Sequence, residues 1–407
     1  MKIKPLKGMN DYLPDEVEFR DYLQVSILKT YQKYGFQKIT TPMIEDIENL
    51  DKSEGGENLG LMFKILKRGN KLEKALQTDE QLCDMGLRYD LTLPLSRYYA
   101  NNKQKLMSPF KSIQIDRVYR AEQPQQGRLR EFIQCDIDIL GDDSYNAEIE
   151  LIYVTAQALL SIGISDFNIK INDKKILNSI LSLCGFEESE YETVCISLDK
   201  LKKIGIDGVQ GELSQKLENS AAIAKFIGIL SEKDIKIDRI QELISDTNAT
   251  KSFNTIINSL TTMSNNKFTI TYDFSLVRGQ GYYTGTVFEI ESNEYNCSIA
   301  GGGRYDNLIG KFSNENIPAV GFSIGFERIY SLLKGKQTNT EKRQKTAVIY
   351  YCDFCYAICF SEKIPNSSVF KATKKTGKLI SRLEENGYDK VIIISEDKSV
   401  KEIDFNS

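Results

Sequence analysis

One segment of the chain places an arginine beside two glycines and two tyrosines: LVRGQGYYTGTVFEI, residues 276–290. Arg278 is followed by Tyr282 and Tyr283, and the run 286–290 alternates in the way that predicts a β-strand. A cation and two phenolic hydroxyls beside a strand raise the question of which ligand needs them. The alternative is an ordinary hairpin that carries one stray charge.

Four more arginines flank a Pro- and Gln-containing loop between two predicted strands, in RVYRAEQPQQGRLREF. They are Arg117, Arg120, Arg128 and Arg130. Guanidinium groups are costly to hold together unless an anion, most naturally a phosphate, shares their donors. Arg328 lies on a predicted helix at the end of VGFSIGFERI. The alternatives are solvated surface arginines in the loop and, for Arg328, a pair with Glu327.

Hydrogen-bond acceptors form a second group. Asp90 stands in a strand-to-helix turn in GLRYDLTLP, and QCDID brings Gln134, Asp136 and Asp138 to one side of a strand because strand side chains alternate. The glycines of AGGGRYDNLIG can let the backbone approach a ligand closely. Neither a Walker A motif nor a strand-placed GxGxxG is present, so the sequence predicts no P-loop or Rossmann phosphate site.

The chain contains no histidine. General acid–base catalysis by imidazole, a histidine-containing triad and a histidine-ligated metal are therefore excluded. Cys352, Cys355 and Cys359 are spaced like half a zinc site, but no second pair completes four ligands nearby. Apolar packing of these cysteines is the favoured prediction, and no metal site built from protein side chains is predicted.

The elements that must position these groups can be read from periodicity. Apolar spacing predicts a helix over 16–34, which Gly35 ends before a short strand in QKITT. Residues 60–76 alternate around RGN as a hairpin, and KSIQIDRVYR and EFIQCDIDIL predict an antiparallel pair within 111–139. A helix follows over 144–162, then a strand in FNIKIN.

In the second half of the chain, the predicted secondary structure changes from helices to strands, and a domain boundary follows. Residues 173–264 are largely helical, and strand signals resume at KFTITYDFSLV and stop at a helix beginning near Gly321. The polar joint GKQTNTEKRQK then predicts a domain boundary. From residue 346 onward the order predicted is strand, helix, helix, strand.

Composition is that of a soluble globular protein, with 41% hydrophobic and 27% charged residues. No apolar stretch approaches the ~18 residues of a membrane span, and the N-terminus lacks the apolar core of a secretory signal. We therefore expect a cytoplasmic protein, no membrane partner, and eight free cysteines. The net charge of −4 means that a nucleic-acid partner would need a local basic face.

Taken together, these segments resemble the histidyl-tRNA synthetase family, a group of class II aminoacyl-tRNA synthetases. GMNDYLPDE with YGFQKITTPMIED resembles motif 1, RVYRAEQPQQGRLREFIQCDIDILG motif 2, and VGFSIGFERI motif 3. LVRGQGYYTG and AGGGRYDNLIG resemble the two histidine-specific signatures. The resemblance runs over about residues 1–335 in the family's order.

The resemblance implies an α+β fold: the class II antiparallel sheet flanked by helices, with a helical insertion and a small α/β C-terminal domain. The domains would be a catalytic core over 1–335, the insertion 173–264 inside it, and a shortened anticodon-binding-like domain over 346–407. A homodimer built around motif 1 is also implied.

The resemblance further implies roles for named residues, with ATP as a substrate accompanied by Mg²⁺. The cations that meet ATP and the reacting carboxylate would be Arg120, Arg328 and Arg278, with Glu122 nearby. The histidine-binding residues would be Asp90 and Gln134 at the α-amino group and Asp138, Tyr282, Tyr283 and Tyr305 at the imidazole. Preorganised guanidiniums can stabilise the charge of adenylation without a protein base, so the absence of histidine is no obstacle.

One departure from the family's pattern leaves an alternative open. The C-terminal segment is short for an anticodon-binding domain, which makes tRNA a less secure partner than histidine and ATP. A paralogue of the family serves as the regulatory subunit of ATP phosphoribosyltransferase, where it senses histidine and partners the catalytic subunit in histidine biosynthesis. Against that alternative, Arg120, Gln134, Arg278 and Arg328 are all retained. The favoured prediction is a histidine–tRNA ligase.

Overall fold

An eight-stranded sheet forms the centre of the larger of two units in the computed structural model, which describes residues 3–52, 60–124, 128–232, 235, 237–244, 247–278, 283–295, 297–336 and 344–405. The units are Met1–Lys334 and Gly335–Ser407, and each is described by itself. The strands of the first unit are β1 (Gln37–Lys38), β2 (Ile44–Asp46), β3 (Lys64–Leu66), β4 (Cys83–Leu87), β5 (Phe110–Tyr119), β6 (Glu131–Leu140), β7 (Phe167–Asp173), β8 (Thr269–Tyr272), β9 (Thr286–Ser292), β10 (Cys297–Arg304) and β11 (Ala319–Gly325).

The helices of the first unit are α1 (Pro14–Lys33), α2 (Ile47–Leu50), α3 (Asn70–Thr78), α4 (Thr92–Asn102), α5 (Asn146–Ser161), α6 (Lys174–Cys184), α7 (Tyr191–Asp199), α8 (Leu201–Lys216), α9 (Ser220–Leu230), α10 (Ile237–Leu243), α11 (Thr247–Ser264) and α12 (Phe326–Leu333). None of the helices in the described part of the chain is long and apolar enough to cross a membrane.

The large sheet has the strand order β1-β5-β6-β11-β10-β9-β7-β8. Its six central strands run antiparallel to their neighbours, and only the edge pairs β1/β5 and β7/β8 are parallel. Since a parallel pair needs a long crossover, the helices α6 to α11 lie between β7 and β8 in the chain. The sheet and its flanking helices confirm the predicted α+β fold, and β5 and β6 confirm the predicted antiparallel pair.

Helix α1 shows why the sequence folds as it does at the N-terminus. Leu23, Ile27 and Tyr31 recur at helical spacing and are fully buried against the core. The helix ends where Gly35 takes a φ of +82°, a conformation that glycine adopts without steric cost. The predicted helix over 16–34 is therefore confirmed.

Three local predictions are wrong. After β3, the chain forms helix α3 instead of the second strand of a hairpin over 60–76. Gly321 lies inside strand β11, and the helix expected there begins at Phe326. In the second unit a further strand separates the two helices, and another strand ends the unit.

The second unit contains β12 (Thr346–Tyr350), α13 (Phe354–Ser361), β13 (Ser367–Lys371), α14 (Thr376–Glu385), β14 (Lys390–Ile394) and β15 (Val400–Asp404). The strand order is β13-β12-β14-β15, with only β15 antiparallel. Ala347 and Val391 pack on one face of this sheet, and Val348 and Ile392 on the other. Cys355 and Cys359 are exposed on α13, so the predicted apolar packing is wrong for these two, whereas Cys352 packs against the core of this unit as predicted.

A buried ion pair joins the first and last helices of the first unit. Arg20 of α1 donates two hydrogen bonds of 2.7 Å to the carboxylate of Glu327 on α12. The guanidinium lies 3.9 Å from the ring centroid of Tyr12. Tyr12 also donates its hydroxyl to Glu327. Removing one partner of such a pair leaves the other charge buried and uncompensated.

We predict that Arg20→Met lowers the free energy of unfolding of the first unit by about 3–5 kcal/mol, because Glu327 loses its partner. Urea unfolding followed by circular dichroism measures the change. Lys334→Gln is the matched control, since Lys334 bonds to Glu16 at 2.7 Å and links the same two ends of the unit at the surface. Equal loss in both variants would contradict the prediction.

Candidate active site

A cavity of about 430 Å³ opens on one face of the large sheet, over strands β6, β10 and β11. The predicted site residues that line it are Asp90, Arg120, Glu122, Gln134, Asp138, Arg278, Tyr283, Tyr305 and Arg328. Tyr282 lies outside the described residues. The structure thus brings together side chains that are up to 238 positions apart in the chain, from Asp90 to Arg328.

Glycines form part of the cavity floor, and their lack of a side chain is a requirement. A Cβ at Gly301 would lie 1.4 Å from Nη1 of Arg278, and a Cβ at Gly321 would lie 2.0 Å from Oδ1 of Asp138. Neither distance is possible for non-bonded atoms. Both functional side chains therefore occupy space that only glycine leaves free.

One end of the cavity is acidic. Tyr305 donates its hydroxyl to Oδ1 of Asp138 at 2.6 Å. Burial raises the pKa of Asp138 to about 7, although the Tyr305 hydrogen bond opposes this shift; the nearby Asp90 adds to it. Burial, followed by Asp138, also raises the pKa of Asp136 well above the ordinary value. A cationic or N–H-bearing ligand would relieve this concentration of acceptors.

The turn that carries Asp90 is fixed by β5. Gln114 of β5 donates its amide to the carbonyl oxygen of Leu91 at 2.9 Å. Asp90 itself accepts from the backbone N–H of Leu93 at 3.1 Å, at the start of α4. Burial raises the pKa of Asp90, whereas that hydrogen bond and the charge of Arg120 lower it. The carboxyl group is thus held in place before any ligand arrives.

The other end of the cavity is cationic. Arg120 donates Nε to the carbonyl oxygen of Tyr89 at 3.0 Å, and its guanidinium lies 5.1 Å from the ring centroid of Phe132. Arg328 donates Nη1 to the carbonyl oxygen of Ser298. Its pKa is lowered, first by burial and also by the charges of Arg278 and Arg128. An anion would offset this mutual repulsion.

Arg278 occupies the floor between the two ends. Its Nη1 lies 3.1 Å from Oε2 of Glu289 and 3.4 Å from the carbonyl oxygen of Ala300. A guanidinium has five N–H donors, so these contacts leave donors for a ligand. Tyr305, across the floor, follows Arg304, which makes two buried hydrogen bonds of 2.6 Å to Glu148. That pair fixes the strand end from which Tyr305 projects.

The prediction of a four-arginine anion site is wrong in part. Arg128 lines the cavity with Arg120, whereas Arg117 pairs with Glu131 at 3.1 Å outside the cavity lining. Arg130 donates to the carbonyl oxygen of Glu122 at 2.9 Å. The alternative pairing of Glu327 with its neighbour Arg328 is also wrong, since Glu327 bonds to Arg20.

Among the lining residues, Ser323, Phe132 and Gly321 carry no role in the sequence prediction. Asp136 and Gly301 are predicted only as part of a row of acceptors and of a glycine-rich run. Asp136 is detectable from alternation along β6, because Gln134 and Asp138 flank it on the same face. Ser323 cannot be detected from the sequence in this way, because only the pairing of β11 with β6 puts it opposite Asp136. Register between distant strands cannot be read from local sequence.

The fold is shared with solved aminoacyl-tRNA synthetases. A histidyl-tRNA synthetase from Nostoc sp. PCC 7120 superposes with a TM-score of 0.79 at 25% identity, covering 99% of this chain and 97% of that one. A Bacillus halodurans protein described as an ATP phosphoribosyltransferase regulatory subunit/histidyl-tRNA synthetase has the same TM-score at 22% identity, over 96% of this chain and 99% of its own. At that identity the second likeness shows the fold alone.

Sequence relatives define the group more narrowly. The family model described as Histidyl-tRNA synthetase matches residues 8–329. A histidine–tRNA ligase of Leifsonia xyli subsp. xyli is 42% identical over 347 residues, which are 82% of this chain and 80% of the relative. One of Cytophaga hutchinsonii is 32% identical over 428 aligned residues, covering 96% and 92%. The chain belongs to the histidyl-tRNA synthetase family.

These relatives confirm the predicted family and its enzyme class, the aminoacyl-tRNA ligases. They do not favour the alternative of a regulatory subunit, because the relatives at 37–43% identity are named as ligases or, in two cases, as probable ligases.

The raised pKa of Asp138 gives a testable dependence of stability on pH. A buried carboxyl whose pKa rises from 3.8 to about 7 stabilises the fold below pH ~4 and loses that contribution as the pH rises through 7. Asp138→Asn removes the titration but keeps an oxygen for the Tyr305 hydroxyl. We predict that wild type loses a few kcal/mol relative to this variant between pH 4 and pH 8.

Thermal unfolding across that pH range measures the difference. The exposed Asp21 supplies the control, Asp21→Asn, which should track wild type. Parallel pH profiles for wild type and Asp138→Asn would show that Asp138 does not titrate as described.

Proposed function

We propose that the protein activates histidine with ATP to histidyl-adenylate and transfers the histidyl group to tRNA. The observation that carries the proposal is the division of one cavity into an acidic end and a cationic end. Asp90, Gln134 and Asp138 suit an amino acid with an ammonium group and a ring N–H. Arg120, Arg278 and Arg328 suit a carboxylate and phosphates.

The Asp138–Tyr305 pair supports a specificity for histidine. The two ring nitrogens of imidazole need one acceptor and one donor or two acceptors, and a buried carboxyl hydrogen-bonded to a phenol can supply them. A substrate with an apolar ring would leave these buried groups unpaired, and such sites reject apolar isosteres strongly. Tyr283 lies at the same cavity, above Gly303, and Tyr282 is proposed to join it.

Adenylation follows from this arrangement. A carboxylate oxygen of histidine attacks the α-phosphorus of ATP, a new P–O bond forms, and the bond to pyrophosphate breaks with its electron pair leaving on pyrophosphate. Arg278, between the acidic and cationic ends, is proposed to bind the reacting carboxylate and the α-phosphate. Arg120 and Arg328 hold the phosphates, with Glu122 at the mouth. Fixed guanidiniums stabilise the charge that develops, so no protein base is required.

Mg²⁺ is proposed to enter with ATP. The described residues contain no group of three or more histidine, cysteine, aspartate or glutamate side chains placed to hold a metal ion. Mg²⁺ commonly keeps several waters and is held through substrate phosphates. The proposed steps therefore involve no metal ion held by side chains of this chain.

In the second step, the transfer of the histidyl group, tRNA is proposed to bind at the second unit and at the cavity. A terminal ribose hydroxyl of tRNA attacks the carbonyl carbon of the adenylate, and AMP leaves. The range 371–382 contains five exposed cations and no acidic residue: Lys371, Lys374, Lys375, Lys378 and Arg382. This local basic face offsets the acidic net charge of the chain and suits a phosphate backbone. Residues 346–407 are accordingly proposed as a shortened anticodon-binding domain, and 1–335 as the catalytic core.

A homodimer in the cytoplasm completes the proposal. Apolar side chains are exposed just before helix α1, within it and before β2: Leu13 at 71%, Val25 at 45% and Met43 at 41%. Exposed apolar side chains of this kind suit a subunit interface. Sedimentation of the full chain measures the oligomeric state.

Histidine-dependent ATP–pyrophosphate exchange, followed by transfer to tRNA, tests the function directly. Wild type should do both. Arg278→Ala should abolish exchange and retain histidine binding, because only the cation at the reacting carboxylate is lost. Arg117→Ala, an arginine outside the cavity lining, is the control and should exchange normally. Exchange in Arg278→Ala at the wild-type rate would refute its role, and histidine binding without exchange in wild type would refute the function.

A second variant separates the two half-reactions. The triple variant Lys374→Glu, Lys375→Glu, Lys378→Glu should lower kcat/KM for tRNA by about ten-fold or more. It should also make kcat/KM less dependent on salt concentration, because phosphate contacts and the counterions they release are lost. Pyrophosphate exchange should be unchanged. The control is Lys398→Glu with Lys401→Glu, which lie in the turn before β15 and in β15 of the same sheet. An equal loss in both variants would contradict the proposed tRNA face.

A further inference from the structure

Three polar side chains form a continuous link on the cavity floor. Gln134 donates Nε2 to Oγ of Ser323 at 2.8 Å. Ser323 stands directly opposite Asp136 in the pairing of β11 with β6, and its hydroxyl hydrogen-bonds to the Asp136 carboxyl. Two oxygens of this link, Oε1 of Gln134 and Oδ1 of Asp136, are buried and have no hydrogen-bond partner among the described residues.

The chemistry of the link fixes its direction. A serine hydroxyl has one hydrogen to donate, and the Ser323 hydrogen bond favours the ionised form of Asp136, which only accepts. Once Ser323 donates to Asp136, it can only accept from Gln134. The amide of Gln134 must then turn its Nε2 toward Ser323 and its Oε1 away.

The orientation of this amide matters because its two ends are opposite in character and nearly equal in shape. With Oε1 unpaired, Gln134 contributes a free acceptor to the lining of the cavity, which Asp90 and Asp138 also line. With the amide flipped, it would present N–H donors, which repel a cation. The unpaired Oε1 is a buried acceptor that a ligand N–H would satisfy.

We propose that Ser323 and Asp136 are positioning residues that lock the Gln134 amide with Oε1 directed at the cationic α-amino group of the substrate. This inference rests on the proposed function for the identity of the substrate as an amino acid. It adds a specificity device, since the link discriminates ligands that carry the ammonium group from ligands that lack it.

Surrounding contacts support a locked amide. Gln114 stands opposite Asp136 on its other side, and its amide is bonded to Thr41 and to the carbonyl oxygen of Leu91. Gly301 stands opposite Ser323 and adds no side chain. Ser323 is thus the hydroxyl that these neighbouring strands place against both Gln134 and Asp136.

Calorimetric titration of the full chain with two ligands tests the proposal. The ligands are histidine and imidazolepropionate, which lacks only the α-amino group. Ser323→Ala should weaken histidine binding by about ten-fold or more, as for a lost hydrogen bond to a charged group, and change imidazolepropionate binding less than about two-fold. ATP binding should be unchanged. Ser323→Thr keeps the hydroxyl and should behave as wild type.

The control is Ser292→Ala, a buried serine of the same sheet outside the cavity lining. A double-mutant cycle combines Ser323→Ala with Gln134→Met, whose side chain has no amide to orient. The cycle shows whether Ser323 acts through Gln134. In the Gln134→Met background, Ser323→Ala should no longer alter the preference for histidine. Equal weakening of both ligands by Ser323→Ala, or unchanged histidine binding, overturns the inference while the proposed function stands. A wild type that binds histidine no better than imidazolepropionate overturns the inference, and one that binds neither overturns both.

Discussion

The whole site depends on two strand positions that have no side chain. At Gly301 and Gly321 the Cβ positions are already filled by the guanidinium of Arg278 and the carboxylate of Asp138. The space above a sheet is normally taken by the side chains of its own strands. At these two glycines, β10 and β11 place no side chain above the sheet. Residues from other strands and loops occupy the space instead. A methyl group at either glycine would displace a charged group from the cavity.

Strand β6 has one face in the hydrophobic core and the other face in the cavity. Its odd-numbered residues, Ile133 to Ile139, pack into the main core, while Gln134, Asp136 and Asp138 face the cavity. The period of two along a strand makes this division possible, and a slip of one residue would exchange the faces. Apolar burial of one face therefore fixes the register of the acidic face. Stability and ligand recognition depend on the same pairing with β5 and β11.

Much of this could be predicted where a local pattern carries the information. Helix α1, the β5/β6 pair and the helices between β7 and β8 all have strong periodicity in the sequence. The motifs correctly identified nine residues that line one cavity. The errors have separate physical causes. Gly321 was expected at a helix start because a glycine-containing run resembles a turn, but tertiary pairing makes it a strand. The region after Gly69 has a turn signal followed by helix-forming residues. Ser323 became visible only through long-range register.

The ion pair between Arg20 and Glu327 has a consequence for synthesis. The two residues are joined across nearly the full length of the first unit, 307 positions apart in the chain. A nascent chain therefore exposes α1, with its arginine and its apolar face, long before α12 emerges from the ribosome. Strand β11, which lies between β6 and β10 in the sheet, also arrives late. The first unit can close only after some 330 residues have been made, so its N-terminal half must remain soluble without the partners that will bury it.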